Sequence, residues 1–456
     1  MKRVDFDRGS IIKSIMQTTL PMLVAQVINL LYSIVDRIYI GRMEGYGTQA
    51  LGAIGLCFPI VMLIGGCTNM FGLGAAPLFS IALGKGDKQK ASAVLNTAFR
   101  LEIMVGIILM VSCELCASEI LTVFGATSKE LVFAIPYIRL YLIGTIFLMI
   151  STGMNPYINA QGYSFISMES VLVGAVSNII LDPLFIFTLG LGVNGAAIAT
   201  VISQFLSMLF VLKFLFDTKN EFRLSFQKLF VFSYAKEIVS LGLSPFVMQC
   251  TNSIVSMVCN SVLMKVGGTL YVSVMTVISS VRQLLDTPVL AITEGSSPTI
   301  SYNYGAKRPK KVQDAIILMT IIAIAYTCLM WVLIEKFPLL FIKTFSDDTV
   351  LQQLALRPLH VYFFAFVFQA FQYSGQTIFK ALNKKKHTIF FSLFRKVILV
   401  VPLTYLLPYV FKMGIDGVFM AEPISNFIGG LSCFTIMLVT VIPELREMKR
   451  SQHNNL

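Results

Sequence analysis

The sequence predicts an all-α membrane protein with many spanning helices, and three observations carry that prediction. Of its 456 residues, 56% are hydrophobic and only 13% are charged, whereas a soluble domain has about 25% charged residues. The mean hydropathy is +0.77. The apolar residues fall into about twelve runs, each long enough for a helix that crosses a bilayer. We therefore expect a polytopic helical protein in a lipid bilayer.

The apolar runs alternate with short polar connections. Lys and Arg are concentrated at both ends of the chain and in every second connection. Because cytoplasmic loops are rich in these residues, we expect both termini in the cytoplasm. The same topology accounts for the net charge of +12 without nucleic acid. The runs cover roughly residues 13–41, 50–82, 92–116, 131–155, 164–188, 193–216, 237–264, 270–303, 312–336, 354–381, 389–411 and 415–442.

The second half of the chain repeats the first. Pro21 and Pro245 open the first and seventh runs, 224 residues apart, and Gly192 and Gly414 precede the sixth and twelfth, 222 apart. Each half contains an even number of runs, so both halves enter the membrane in the same direction. This predicts two six-helix lobes related by a pseudo-two-fold axis. The predicted parts are an N-lobe at 1–216, a cytoplasmic linker at 217–236, and a C-lobe with a cytoplasmic tail at 237–456.

Two acids lie within apolar runs. On the first, Asn29, Tyr32 and Asp36 have the spacing of one helix face. On the fifth, Asn178 and Asp182 are four residues apart and also share a face. A carboxylate in hydrocarbon is costly and is a candidate functional group. Two such acids beside amides and a phenol predict a site for a proton or a cation.

Polar residues on the eighth and tenth runs leave two interpretations open. Arg282 and Asp286 are four residues apart and can pair within one helix, or they can contact substrate. Glu294, which is nearer the cytoplasmic end, can recognise a cationic compound. Gln369 and Gln372 follow one helix face, and hydrogen bonding between helices is as good an interpretation as cavity lining.

Specific motifs resemble those of the multidrug and toxic compound extrusion (MATE) transporters. They are Asn178-x-x-x-Asp182-Pro183-Leu-Phe-Ile-Phe, then Gly192-Val-x-Gly195-Ala-Ala-x-Ala-Thr200, and Asn303-Tyr304-Gly305-Ala306 after the eighth run. The resemblance covers the whole chain and is greatest to the DinF-like branch and its MepA-like relatives. It implies cation-coupled export of organic, often cationic, drugs or toxic compounds by alternating access, and hence a role in drug resistance.

The resemblance also assigns candidate residues. It implies that a coupling ion, H⁺ or Na⁺, binds at Asp36, Asn178, Asp182 and Thr200. Beyond Glu237 at its start, the seventh run offers only Gln249, Asn252 and Asn260 as polar candidates, and the tenth run has no acid, so a coupling site in the C-lobe is not expected. No cofactor is expected, and no metal other than a possible Na⁺. The expected substrate cavity comprises Asn29, Tyr32, Tyr137, Asn155, Arg282, Asp286, Glu294, Gln369 and Gln372.

Two alternatives remain open. A flippase or exporter of a lipid-linked or metabolite substrate has a similar fold, but it would need more fixed cations for phosphate than Arg282 provides. An intramembrane enzyme would need a metal-binding or nucleophilic motif, and the sequence contains no such motif. We expect a secondary transporter rather than an enzyme. It should be a monomer in a bacterial cytoplasmic membrane, with small organic molecules and lipid as its partners.

Overall fold

In the computed structural model, the described residues are 3–41, 43, 47–123, 128–225, 230–346 and 348–453. Every regular element in these ranges is a helix. Up to the middle of the chain the helices are α1 (Ile11–Gly41), α2 (Gly47–Phe71), α3 (Ala76–Gly84), α4 (Lys88–Leu115), α5 (Ala117–Val123), α6 (Ser128–Ile143), α7 (Thr145–Gly153), α8 (Asn155–Ala160), α9 (Ser164–Pro183), a π-helix (Leu184–Thr188) and α10 (Gly192–Phe216).

The second half has a similar series of helices. A long helix leads it and a long helix ends it. They are α11 (Phe232–Gly305), α12 (Pro309–Lys336), α13 (Pro338–Lys343), α14 (Thr349–Phe363), α15 (Phe368–Ala381), α16 (Lys385–Leu393), a π-helix (Phe394–Val400), α17 (Val401–Tyr405), a third π-helix (Leu406–Val410) and α18 (Gly414–His453).

The described helices account for twelve membrane spans. Nine stretches are long and apolar enough to cross a membrane. One of them, α11, has 74 residues and contains two spans, because Gly268 at φ 74° interrupts it. Two further spans are helix pairs, α6 with α7–α8 and α14 with α15, and each pair bends by 51°. The predicted number of spans is thereby reached, although the breaks in spans 4 and 10 were not predicted.

The contacts divide the chain into two units. The first unit comprises Met1–Asp5 and Val24–Phe246, and the second comprises Phe6–Leu23 and Val247–Leu456. The apolar core of the first unit runs from Ile40 to Leu241. The second unit has two apolar clusters, one around Phe363 and one around Phe379.

The segment after α10, for which the sequence predicted a cytoplasmic linker, makes contacts within the first unit. Asn96 Oδ1 accepts a hydrogen bond from the Ser225 amide at 2.8 Å, and the Phe222 ring packs edge-on against Phe79. Glu221 pairs with Lys88 at 2.6 Å, and that hydrogen bond holds the pKa of the Glu221 carboxyl below its usual value. Residues 226–229 of the predicted linker lie outside the described residues.

Both repeats contain the same break before their last span. Pro183 ends α9 and a π-helix follows at Leu184–Thr188, and the π-helix Leu406–Val410 lies 222 residues later. A Cβ atom at Gly195 would be 2.7 Å from the Phe185 backbone, and one at Gly417 would be 2.8 Å from the Leu407 backbone. Glycine therefore allows the same close helix approach in both repeats.

Another close helix approach at a glycine, Gly242 in the first unit, can be tested by substitution. A Cβ atom at Gly242 would lie 2.0 Å from the Met70 carbonyl oxygen and 2.7 Å from the Met70 carbonyl carbon. Because backbone atoms must move, Gly242→Ala should lower the free energy of unfolding by about 1–3 kcal/mol. The measurement is the thermal unfolding midpoint of the purified protein in detergent. Gly55→Ala is the matched control, since nothing lies within 4 Å of its Cβ; equal midpoints for the two variants would contradict this account.

Candidate functional site

The two acids predicted from the sequence meet in the first unit. The Asp36 carboxyl on span 1 faces the Asp182 carboxyl on span 5, close enough for one to donate a hydrogen bond to the other. Asp182 is fully buried. Asn178 Nδ2 donates to Asp182 Oδ1 at 3.2 Å and approaches Thr200 Oγ1 at 3.5 Å. The structure therefore brings together all four predicted coupling residues.

Local sequence explains how these side chains converge. Asn178 and Asp182 are four residues apart in α9, so they lie on one face. Pro183 ends this helix directly after the acid, because it has no N–H to continue the hydrogen-bond pattern. Gly195 lets α10 approach the π-helix that follows, and that approach aligns Thr200 with Asn178.

One oxygen of Asp182 and one of Asn178 lack a hydrogen-bond donor in the described part of the chain. Asp182 Oδ2 and Asn178 Oδ1 are buried, and no group among the described residues donates a hydrogen bond to them. Buried acceptors without a donor are costly. A proton on the carboxyl pair would supply one donor, and Na⁺ would be bound by the same oxygens.

Tyrosines surround the acid pair. Tyr32 and Tyr137, both predicted, are close enough to Asp36 and Asp182 for electrostatic interaction. Tyr141 also interacts with Asp36 and is hydrogen-bonded to Gln204, and the sequence analysis missed both of these residues. A signal for them was present, since Tyr141 follows Tyr137 by four residues and Gln204 follows Thr200 by four.

Two other predicted cavity residues differ in burial. Asn29 is exposed on α1. Asn155 is buried, and its Oδ1 accepts a hydrogen bond from Ser170 at 3.0 Å. Their assignment to the substrate cavity stays a prediction.

The second unit contains a buried ionic cluster. Arg282 Nε donates to Asp286 at 3.1 Å, and Arg282 Nη1 donates to the Tyr362 hydroxyl at 2.6 Å. Arg282 also pairs with Glu422 on span 12. Gln369 donates to Asp286 at 2.7 Å. The spacing of Arg282 and Asp286 correctly indicated a pair, but the pair is part of a larger group.

The sequence analysis missed the centre of this cluster. Glu422 Oε1 accepts from Arg395 at 2.9 Å and from Lys396 at 3.0 Å, and all three residues are about 5% exposed. Arg395 and Lys396 are therefore buried cations of the C-lobe in addition to Arg282. A signal existed, because all three residues interrupt apolar runs. The added cations already pair with the protein's own carboxylates.

The polar face of span 10 forms contacts between helices. Lys380 pairs with Glu294 at 2.5 Å; the Lys380 side chain is buried and that of Glu294 is 13% exposed. Gln372 Nε2 donates to the Phe391 carbonyl at 3.4 Å. Because Lys380 already neutralises the Glu294 carboxylate, this geometry gives no support to recognition of a cationic compound by Glu294, and that role stays a prediction.

A substitution at the centre of the cluster should be severe. Glu422→Gln removes the carboxylate shared by Arg282, Arg395 and Lys396, and breaking a buried ion pair costs about 3–5 kcal/mol. We expect a clear fall in the thermal unfolding midpoint in detergent.

The matched control is Asp416→Asn at an exposed ion pair. Arg357, its partner, is 79% exposed, and such pairs contribute about 1 kcal/mol or less. A midpoint for Glu422→Gln as high as that of this control would show that the cluster does not stabilise the second unit.

Twelve apolar spans, an internal repeat and buried polar clusters on several spans define a multi-pass membrane transporter. The family model MatE matches residues 21–184 and again residues 245–406. The two matches cover more than half of the chain, so this protein belongs to the MatE family. It is therefore a transporter rather than an enzyme. The double match also supports the repeat that the sequence predicted.

Relatives and solved structures agree with this assignment. The multidrug export protein MepA of Staphylococcus haemolyticus is 27% identical over 358 residues, 77% of each chain. MepA of Staphylococcus saprophyticus is 24% identical over 440 residues, 95% of this chain and 94% of that protein. These relatives place the chain in the MepA-like branch.

Solved structures confirm the two-lobed, twelve-span fold. A crystal structure of MATE in complex with MaD3S has a TM-score of 0.92 at 23% identity, and covers 98% of this chain and 99% of its own. A MOP superfamily transporter from Pyrococcus furiosus has a TM-score of 0.91 at 24% identity, with the same two coverages.

Proposed function

We propose that this protein exports organic compounds, chiefly cationic drugs, in exchange for protons that bind at Asp36 and Asp182. The MepA relatives are multidrug export proteins by name, which supports export of varied compounds. The acid pair supports the coupling. We propose further that the protein works as a monomer in a bacterial cytoplasmic membrane, with both termini in the cytoplasm.

The facing carboxyls of Asp36 and Asp182 are the observation that carries this proposal. Two adjacent negative charges repel, and a shared proton removes the repulsion and provides the donor for a hydrogen bond between them. In the described part of the chain, the partners of the Asp182 carboxyl are Asp36 and Asn178 and it forms no ion pair, so no fixed cation there replaces the proton. The site is therefore suited to binding and releasing one proton.

Na⁺ is the alternative at the same residues. Carboxylate, amide and hydroxyl oxygens of Asp36, Asn178, Asp182 and Thr200 are suitable ligands for a hard cation. The contact between the two acids favours the proton, because hydrogen-bonded carboxyls need one proton and bound Na⁺ requires both groups to turn their oxygens toward the ion.

Coupling requires the proton and the drug to favour different states of the transporter. A ligand shifts an equilibrium only by its difference in affinity for the two states. In the proposed cycle, protonation of the acid pair favours drug release on the outside, and drug binding on the inside favours proton release. The alternating states are part of the proposal.

Liposomes containing a pH-sensitive dye test the exchange. An outward-directed gradient of ethidium, a fluorescent organic cation, should drive proton uptake by wild-type protein without Na⁺. Asp36→Asn and Asp182→Asn should reduce this proton flux at least about tenfold, because one amide prevents the shared proton. Asp416→Asn, at an exposed ion pair, should transport normally.

The outcomes separate the alternatives. Proton movement that persists in both site variants would disprove coupling at this pair. Ethidium transport that requires Na⁺ and moves no protons would assign the same residues to Na⁺. Lack of ethidium transport by wild-type protein, with lipid transport in its place, would favour the flippase.

A further inference from the structure

The internal repeat relates the ionic cluster of the second unit to the acid pair of the first. With the offset of 222 residues that relates the π-helices, Asp182 corresponds to Thr404 and Thr200 corresponds to Glu422. Cys259 Sγ lies 3.7 Å from Thr404 Oγ1. In the first repeat the acid is on span 5 and the threonine on span 6, whereas in the second repeat the threonine is on span 11 and the acid on span 12. Both repeats therefore have a polar cluster between their last two spans.

The cluster of the second unit contains one cation more than it has carboxylates. Glu422 and Asp286 are its two acids, and Arg282, Arg395 and Lys396 are its three cations. An excess buried charge is costly in apolar surroundings. The other titratable groups facing the cluster carry no charge as thiol or phenol: Cys259 on span 7, Tyr326 on span 9, Tyr362 and Tyr373 on span 10, and Cys433 on span 12.

Lysine is the cation of this group that can lose its charge. Arginine stays protonated in proteins, whereas a buried lysine readily becomes a neutral amine. Without the Lys396 proton, two guanidiniums balance two carboxylates and the cluster is neutral. By its chemistry and by the balance of charges, Lys396 is therefore the group of this cluster best suited to exchanging a proton.

The contacts of Lys396 fit this assignment. The π-helix Phe394–Val400 directs the consecutive side chains of Arg395 and Lys396 to the same oxygen of Glu422. In the described part of the chain, the Glu422 carboxylate is the one hydrogen-bond acceptor of the Lys396 amino group. An ammonium group has three donors, so a neutral amine is better satisfied here than a charged one.

We propose that Lys396 exchanges a proton during transport, and that the second unit thereby contains a second proton site built around Glu422. Lys396 Nζ transfers a proton to water and retains the electron pair of the broken N–H bond, so the ammonium becomes an amine. The cluster then changes from one net positive charge to none.

The proton on Lys396 should weaken the binding of a cationic compound, and this part of the proposal rests on the proposed function. A positive charge in the second unit repels an organic cation, and in apolar surroundings the repulsion extends beyond contact distance. Protonation of Lys396 and binding of the cation should therefore exclude each other. Such opposition is what antiport requires.

Counting protons tests the site without any substrate. Purified full-length protein in detergent, in weak buffer with a pH indicator, is titrated from about pH 6 to about pH 9, a range in which buried lysines can exchange a proton. Wild type should release one more proton per molecule than Lys396→Arg or Lys396→Met. Lys310→Met is the matched control, because it removes an exposed lysine, and it should release as many protons as wild type. Equal release by wild type and both Lys396 variants would overturn the proposal.

Ethidium affinity at varied pH tests the opposition. Wild-type affinity should rise as pH rises, because loss of the Lys396 proton removes a repelling charge. Lys396→Arg keeps the positive charge and should bind ethidium weakly at all pH values. Lys396→Met removes the charge and should bind ethidium tightly, so at low pH its affinity should be about tenfold higher than that of Lys396→Arg. If both variants changed ethidium affinity in the same direction, or if neither changed it, the proposed competition between the Lys396 proton and the cation would be wrong. Asp36→Asn should abolish proton-coupled transport but still release the Lys396 proton in the titration, and this result would distinguish the Lys396 site from the acid pair.

Discussion

The cost of an uncompensated polar group in apolar surroundings is the constraint on which this structure depends. A helix satisfies its own backbone in a membrane, but a buried charge must find a partner. In the first unit two carboxyls face each other beside an amide. In the second unit, arginines and a lysine gather on one carboxylate. Both clusters join side chains from different helices, and both contain titratable groups.

Much of the fold could be predicted from the sequence, because apolar run length and loop charge are local properties. The spans and the repeat follow from them. The breaks within spans 4 and 10 and the kink at Gly268 could not be predicted this way, since hydropathy does not record a bend. Similarly, the segment around Phe222 is polar enough to suggest a linker, yet a few contacts fix it to the first unit.

For the candidate sites too, contacts within one helix could be predicted and contacts between distant helices could not. Asn178 and Asp182 could be found because their spacing within one helix already places them together. Glu422 could not be paired with Arg282 in that way, because 140 positions separate them in the chain and only the packing of spans 8 and 12 unites them. For Tyr141 and Gln204 the helical spacing was visible, but neutral side chains gave no reason to select them.

The exchange of acid and threonine between the repeats has a consequence for how the duplicated helices are used. A chain assembled from two copies of the first half would have the same backbone breaks and glycine contacts twice, but it would have two acid pairs and no Lys396. The repeated backbone breaks and glycine contacts do not by themselves distinguish the two halves. Four side chains at matched positions, Asp182 with Thr404 and Thr200 with Glu422, give the halves different polar clusters. In the proposed mechanism, one half would therefore bind a proton between carboxylates and the other would bind it on an amine.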